Sequence, residues 1–156
     1  MAMERTLVLV KPDAFQRALV GKIVSRFEEK GFRIVGMKML RMSEGLAKEH
    51  YSHLTGKPFY PGLEKFMTHA PLLAFVMEGQ EAIEVCRKLV GATNARKAEP
   101  GTIRGDFSLS TGRNTIHASD SAETAKAEIG RFFKPEELFD YSQVCAEYLY
   151  AEDERE

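Results

Sequence analysis

Apolar runs alternate along this chain with polar segments at spacings that separate strands from helices. Thr6-Leu7-Val8-Leu9-Val10 is a β-rich apolar run that breaks at Lys11-Pro12-Asp13, which predicts a buried strand ending in a polar turn. Leu19, Val20, Ile23, Val24 and Phe27 recur at helical spacing, and Gly31 after Lys30 is a helix stop. Ile34 to Leu40 predicts a second strand, with Val35, Met37 and Met39 on one face. Ser43 is an N-cap candidate for a helix running to about Leu54. Leu72-Leu73-Ala74-Phe75-Val76-Met77 is a third strand-length run. Ala82, Ile83, Cys86, Leu89 and Val90 form the stripe of another helix, closed by Gly91. The stretch from Ala92 to Arg113 is polar and shows little periodicity, and loops of that length are usually functional or disordered. A short strand at Thr115 to Ala118, a helix opening near Asp120 or Ser121, and a short helix from Lys134-Pro135-Glu136-Glu137 complete the pattern.

The element order β-α-β-α-β-α-β predicts an α/β (α+β) fold with helices packed on a mostly four-stranded sheet. At 156 residues one domain, 1–156, is expected, and 44% hydrophobic residues supply a core. The net charge of −1 leaves no global field for nucleic acid or an anionic membrane, so an anionic ligand needs a local basic cluster. Two cysteines, Cys86 and Cys145, make no disulfide framework and fit a reducing compartment. Met1-Ala2-Met3-Glu4-Arg5 and the five apolar-rich residues before Lys11 are too short for a signal-peptide core. No apolar run approaches the ~18–20 residues of a membrane span, so a cytoplasmic protein without membrane partners is expected.

The long loop and its borders gather the cations Arg87, Lys88, Arg96, Lys97, Arg104 and Arg113, with Thr93, Thr102, Ser108, Ser110 and Thr111 as hydroxyl donors. Guanidinium forks suit phosphate oxygens, although a charged solvated loop is the plainer reading and no Walker or Gly-rich kinase loop is present. His117 closes the last predicted strand, just before a helix start whose amides and dipole favour an anion there. A neutral imidazole can accept a phosphoryl group and split one transfer into two steps. Glu128 lies seven residues past Ser121, on the same helix face, where it can orient His117 or Ser119. His50 and His53, at i, i+3 spacing, read as surface histidines rather than a metal pair, since further ligands are not near in sequence.

Asn114-Thr115-Ile116-His117-Ala118-Ser119-Asp120-Ser121 resembles the signature N-x-x-H-[GA]-S-D-S of nucleoside diphosphate kinases. The resemblance extends to Val10-Lys11-Pro12-Asp13, to Lys57-Pro58-Phe59, and to Pro100-Gly101-Thr102-Ile103-Arg104-Gly105-Asp106-Phe107. It implies a ferredoxin-like βαββαβ sandwich with a four-stranded antiparallel sheet. It also implies an enzyme that moves the γ-phosphate of a nucleoside triphosphate, mainly ATP, onto nucleoside diphosphates through a phosphohistidine on His117. By the same resemblance Lys11 and Asn114 contact sugar and adjoining phosphates, Arg87, Thr93 and Arg104 hold phosphates, and Phe59 stacks on the base beside Leu63. Tyr51, Ser119 and Glu128 match the shell supporting the histidine.

The resemblance further implies Mg²⁺ bound with the nucleotide phosphates rather than on a protein metal site. A homo-oligomer, with a hexamer favoured over a tetramer, is implied as well, and no main function on nucleic acid. Ala14 and Ala118 stand where glycine is frequent, Thr111 where valine often flanks the base, and Ala95 where the loop usually carries proline. The last departure bears on loop rigidity rather than chemistry. Two alternatives differ in class: a catalytically idle relative acting as a nucleotide-binding regulator, and a ferredoxin-like ligand-sensing or RNA-binding module. The second would need exposed sheet aromatics or a basic face, and the sequence offers neither clearly.

Overall fold

The apolar runs around Leu7 and Phe75 lie in the middle of the sheet because both of their faces are covered. The computed structural model describes residues 3–155, so Met1 and Ala2 of the opening stretch lie outside it, as does Glu156. Strand β1 (Met3–Val10) pairs antiparallel with β3 (Leu72–Gln80), in register Leu7↔Val76 and Leu9↔Ala74. Strand β2 (Arg33–Leu40) flanks β3, and β4 (Ile116–Ala118) flanks β1, which gives the antiparallel order β2-β3-β1-β4. This is the ferredoxin-like order, with a longer helical connection where a bare hairpin would join β2 to β3.

Alternation sorts β1 onto two cores. Val8 and Val10 join Phe75 and Met77 beneath α2 (Val20–Lys30) and α5 (Ala82–Val90). Leu7 and Leu9 join Ala74 and Val76 beneath α3 (Glu44–His50), α4 (Tyr60–Thr68) and α7 (Ala122–Phe132). Gly31 caps α2 at φ 102°, a left-handed turn that glycine enters without steric cost. Cys86 is buried in α5, and burial pushes its thiol up to about 12, so it packs as a small apolar group. No helix among the described residues is long and apolar enough to cross a membrane.

Four local expectations need correction. Val35 does not share a face with Met37 and Met39. The pairing Ile34↔Met77 followed by Gly36↔Val76 leaves Val35 as the extra residue of a β-bulge, buried with Leu7, while Met37 and Met39 are exposed on the other face of an edge strand. The helix capped by the Ser43 hydroxyl stops at His50, and a 3-10 turn, Ser52–Leu54, follows. Helix α4, with Pro61 in its first turn, was not foreseen, nor was α1 (Pro12–Gln16). The polar stretch 92–113 holds a 3-10 turn, Ala95–Lys97, and α6 (Ile103–Phe107), each capped by a side chain: Asn94 accepts from the Arg96 amide and Thr102 from the Gly105 amide. The turn at Ala95 thus forms without the proline. Beyond α7, the chain runs through a 3-10 turn, Pro135–Glu137, to α8 (Ala146–Leu149).

Candidate active site

The end of β1, the strand β4 and the first turns of α7 converge on His117. It sits opposite Leu9 in the sheet, so its ring emerges on the face covered by α3 and α7. Ser121 caps α7 by accepting from the Thr124 amide, which sets the helix so that Glu128, two turns on, faces β4. His117 Nε2 lies 2.9 and 3.0 Å from the two Glu128 oxygens. The Ser119 hydroxyl donates to the same carboxylate at 2.6 Å. Burial alone would raise the Glu128 carboxyl, but the hydrogen bonds from His117 and Ser119 and the charge of His117 hold it below its usual range. An ionised Glu128 accepts only, so the proton of neutral His117 resides on Nε2 and the Nδ1 lone pair is free.

A second network holds the loop against the sheet. Lys11 Nζ donates to Asn114 Oδ1 at 2.8 Å, and Asn114 Nδ2 donates to the Thr93 carbonyl at 3.1 Å. Arg104, buried on α6, donates to the carbonyls of Ile116 (2.7 Å), Gly91 (3.0 Å) and Asn114 (3.4 Å). Burial, and next the charge of Arg104, lowers Lys11 to about 8; burial and Arg87 lower Arg104 to about 10. Between Asn114 and β4, Thr115 takes φ 65°, a conformation a β-branched residue avoids. It is held there by Asp13 Oδ2, which accepts from its amide at 3.1 Å, and by its carbonyl, which accepts from the Lys11 amide at 2.8 Å.

Beside this network opens a cavity of about 620 Å³ lined by Lys11, Tyr51, Phe59, Leu63, Thr93, Thr111 and Asn114, with Leu54, Gly62, Phe66, Gly112 and Arg113 completing the wall. Phe59 is 57% exposed, and among the described residues its ring has no aromatic partner, whereas Tyr51 is buried and its hydroxyl finds no hydrogen-bond partner among them. Arg113 lies over the Phe66 ring at 5.9 Å.

Of the residues picked from the sequence, His117 and Ser119 both bond to Glu128, and Lys11, Thr93, Asn114 and Arg104 form the adjoining network. Tyr51, Phe59 and Leu63 line the cavity. Arg87 stands apart from that cavity, exposed on α5, and reaches the Ala118 carbonyl next to His117 at 3.4 Å. Lys88 belongs elsewhere, paired with Glu84 on the surface.

His50 is the main correction. It is buried, not a surface residue, and its ring meets those of His117 (4.8 Å between centroids), Tyr51 (4.6 Å) and Phe132 (5.2 Å) edge to face. Leu46, Ala47, His50, Tyr51 and Leu54 form one apolar stripe at helical spacing, which is the signal that marks His50 as inward-facing. His53 is exposed, as expected. His50, His117 and Glu128 offer ligand atoms within 4.8 Å of one another. Their hydrogen bonds to each other's neighbours already engage them, and two imidazoles with one carboxylate are not the oxygen set that Mg²⁺ requires. Phe66 was missed because α4 was missed; Tyr60, Leu63 and Met67 at i, i+3, i+7 carry its signal.

Comparison with known proteins converges on one family. The model of the family described as nucleoside diphosphate kinase matches residues 4–138. Nucleoside diphosphate kinase B of Canis lupus familiaris is 53% identical over 147 residues, covering 94% of this chain and 97% of that protein. The nucleoside diphosphate kinase of Desulforamulus reducens is 51% identical over 148 residues, covering 95% and 99%. Among solved structures, a halophilic nucleoside diphosphate kinase from Halobacterium salinarum in complex with CDP superposes with a TM-score of 0.94 at 45% identity, covering 96% of this chain and 100% of that one.

Proposed function

The chain belongs to the nucleoside diphosphate kinase family and has that family's phosphotransferase activity, and from that premise we propose that His117 carries the phosphoryl group. The observation that supports this is the pairing of His117 Nε2 with the Glu128 carboxylate, which leaves the Nδ1 lone pair as nucleophile. In the first half-reaction Nδ1 attacks the γ-phosphorus of a nucleoside triphosphate. The N–P bond forms, the bond to the β–γ bridging oxygen breaks, and the diphosphate leaves with that electron pair. In the second half-reaction a terminal oxygen of an acceptor diphosphate attacks the phosphohistidine and the nitrogen recovers its lone pair. Glu128 holds the Nε2 proton throughout and stabilises the positive charge that develops on the ring.

In this reading the base enters the cavity at Phe59 and Leu63, as a ligand such as the CDP of the Halobacterium relative would require. Lys11 and Asn114 meet the sugar and nearest phosphates, and Arg87, Thr93 and Arg104 hold the phosphates, with Tyr51 and Ser119 in support. Mg²⁺ bound with the nucleotide phosphates would neutralise their charge; among the described residues no cage of carboxylates is built for it, and exposed Asp120, three residues past His117, is the carboxylate that could lie near it.

The chain acts as one domain, in the cytoplasm, and as a homo-oligomer, with a hexamer expected. Exposed Met37 and Met39 on an edge strand, and exposed Val144 and Tyr148 near the C-terminus, supply the apolar surface that assembly covers. Light scattering at micromolar concentration checks this, and a monomer would refute it.

The nucleophile is tested by mass spectrometry of ATP-treated protein under alkaline conditions, where a phosphoramidate survives. Phosphate on His117 that ADP removes is the expected result. Transfer without any such adduct would refute the reading, and an unreactive protein would favour the idle-relative alternative.

A further inference from the structure

Glu128 and Arg131 are three residues apart on α7, a spacing at which a carboxylate and a guanidinium readily pair. Here they do not. Among the described residues Arg131 pairs with Glu49, at 3.1 Å, and the Glu128 carboxylate is left to His117 and Ser119. The ring between them belongs to His50. Arg131 Nη1 lies 3.3 Å from His50 Nδ1, and that same Nδ1 lies 3.8 Å from Glu128 Oε1, beyond hydrogen-bond reach. A guanidinium only donates, so Nδ1 is the acceptor and His50 is neutral, with its proton on Nε2. Burial, and next the neighbouring His117, push its pKa down to about 3, which agrees with a neutral ring at neutral pH. Phe132, Tyr51 and His117 confine it edge to face on its other sides.

We infer that His50 is a positioning residue: a neutral spacer that takes the Arg131 hydrogen bond and so keeps Arg131 from capturing the Glu128 carboxylate that His117 depends on. Without the spacer, Arg131 would close the i, i+3 pair, Glu128 would be neutralised, and His117 Nε2 would lose its acceptor. The inference rests on His117 being the nucleophile.

The test is the rate at which ATP phosphorylates His117 in single-turnover mixing, in the wild type, His50→Ala, Arg131→Gln and the double variant. Gln at 131 can still donate to His50 but carries no charge to offer Glu128. His50→Ala is expected to slow phosphorylation by about tenfold or more, Arg131→Gln alone to change it by less than about threefold, and the double variant to recover most of the loss. His50→Leu fills the space yet accepts nothing. It should show the same pattern with a smaller loss, and it serves if His50→Ala does not fold.

The pH profile separates positioning from mere packing. The charged groups around His117 are Glu128 and Arg131 from α7, Lys11 after β1, Arg87 from α5 and Arg104 from α6. Losing Glu128 to Arg131 removes support for the imidazolium, so the acid limb should move to lower pH in His50→Ala and return in the double variant. Equal loss with and without Arg131→Gln, an unmoved acid limb, or wild-type rates in both His50 variants would overturn the inference. A wild type that never labels His117 would instead overturn the proposed function, so the two failures are distinguishable.

Discussion

The two ends of the site are built differently. Around His117 the charged and amide side chains are already engaged, Glu128 by His117 and Ser119, Asn114 by Lys11 and Arg104 by three carbonyls, while the Tyr51 hydroxyl and His50 Nε2 lack a partner among the described residues. At Phe59 there is an exposed ring, an apolar wall of Leu54, Leu63 and Phe66, and little to orient a ligand edge. The His117 end is organised before any ligand arrives, while the Phe59 end, where the proposed function puts the base, offers only surface. That division suits an activity on all nucleoside diphosphates, since phosphate and sugar are shared by every substrate and bases are not. A stacked aromatic accepts any base because each has a π-face.

The sharpest way to break the comparison is at the nucleophile. His117→Ala should fold normally and lose transfer by on the order of 10⁴-fold or more in a coupled assay, because the proposed function places the covalent intermediate on that residue. Substantial residual activity would mean that the ordered end is not where the chemistry occurs.

The ordered end also carries a pH liability that the base end lacks. The folded pKa of His50 is about 3, below its ordinary 6.5, so between those values the unfolded chain binds a proton that the folded one refuses. Stability should therefore fall as pH drops from about 6.5 toward 3, by on the order of 3 kcal/mol at pH 4. Glu128, held below its ordinary value, adds a loss of the same sign at the acid end of that window. Urea unfolding at several pH values checks this, and His50→Gln should flatten the slope; an equal slope in that variant would remove His50 as its source.

Substitutions at the two ends should also differ in kind. Asn114→Ala and Lys11→Ala should lower kcat, since the proposed function sets both beside the reacting phosphate. Phe59→Ala should raise KM for every base by the equivalent of roughly 1–3 kcal/mol, somewhat more for purines. A kcat effect at Phe59 would erase the distinction. The smallest effect is the spread among ADP, GDP, CDP and UDP as acceptors with one donor, which should stay within about two orders of magnitude in kcat/KM. A preference beyond that would reveal a hydrogen-bonding base pocket.

Much of this was readable from residue order alone. The strand runs at Leu7 and Leu72, the stop at Gly31 and the helix start near Asp120 or Ser121 are local signals, and the structure uses them, with Ser121 as the cap of α7. What escaped depended on distant partners or on short elements. Val35 changes face because a bulge forms against β3, and nothing within β2 announces it. Helices α1 and α6 are a turn or so long, stabilised by caps and by the fold around them rather than by a long apolar stripe. His50 was misplaced because histidine was weighed as a polar residue, although its neighbours Ala47 and Tyr51 lie on the buried face. The grouping around His117 came from a motif resemblance; spacing alone does not bring Lys11 to Asn114 across 103 positions.

The carbonyl bonds of Arg104 have one more consequence. Carbonyl dipoles orient a guanidinium but leave its charge intact, where a carboxylate would cancel it. Among the described residues the fold thus keeps a buried cation at Arg104 to which no carboxylate is bonded, whereas the nearby Lys11 feels the opposite charge of Asp13. A phosphate group held there, as the proposed function has it, would relieve a burden that folding itself imposed, so occupancy would add to the stability of the native state by linkage. On that reading the nucleotide pool of the cell would be part of what keeps this chain folded.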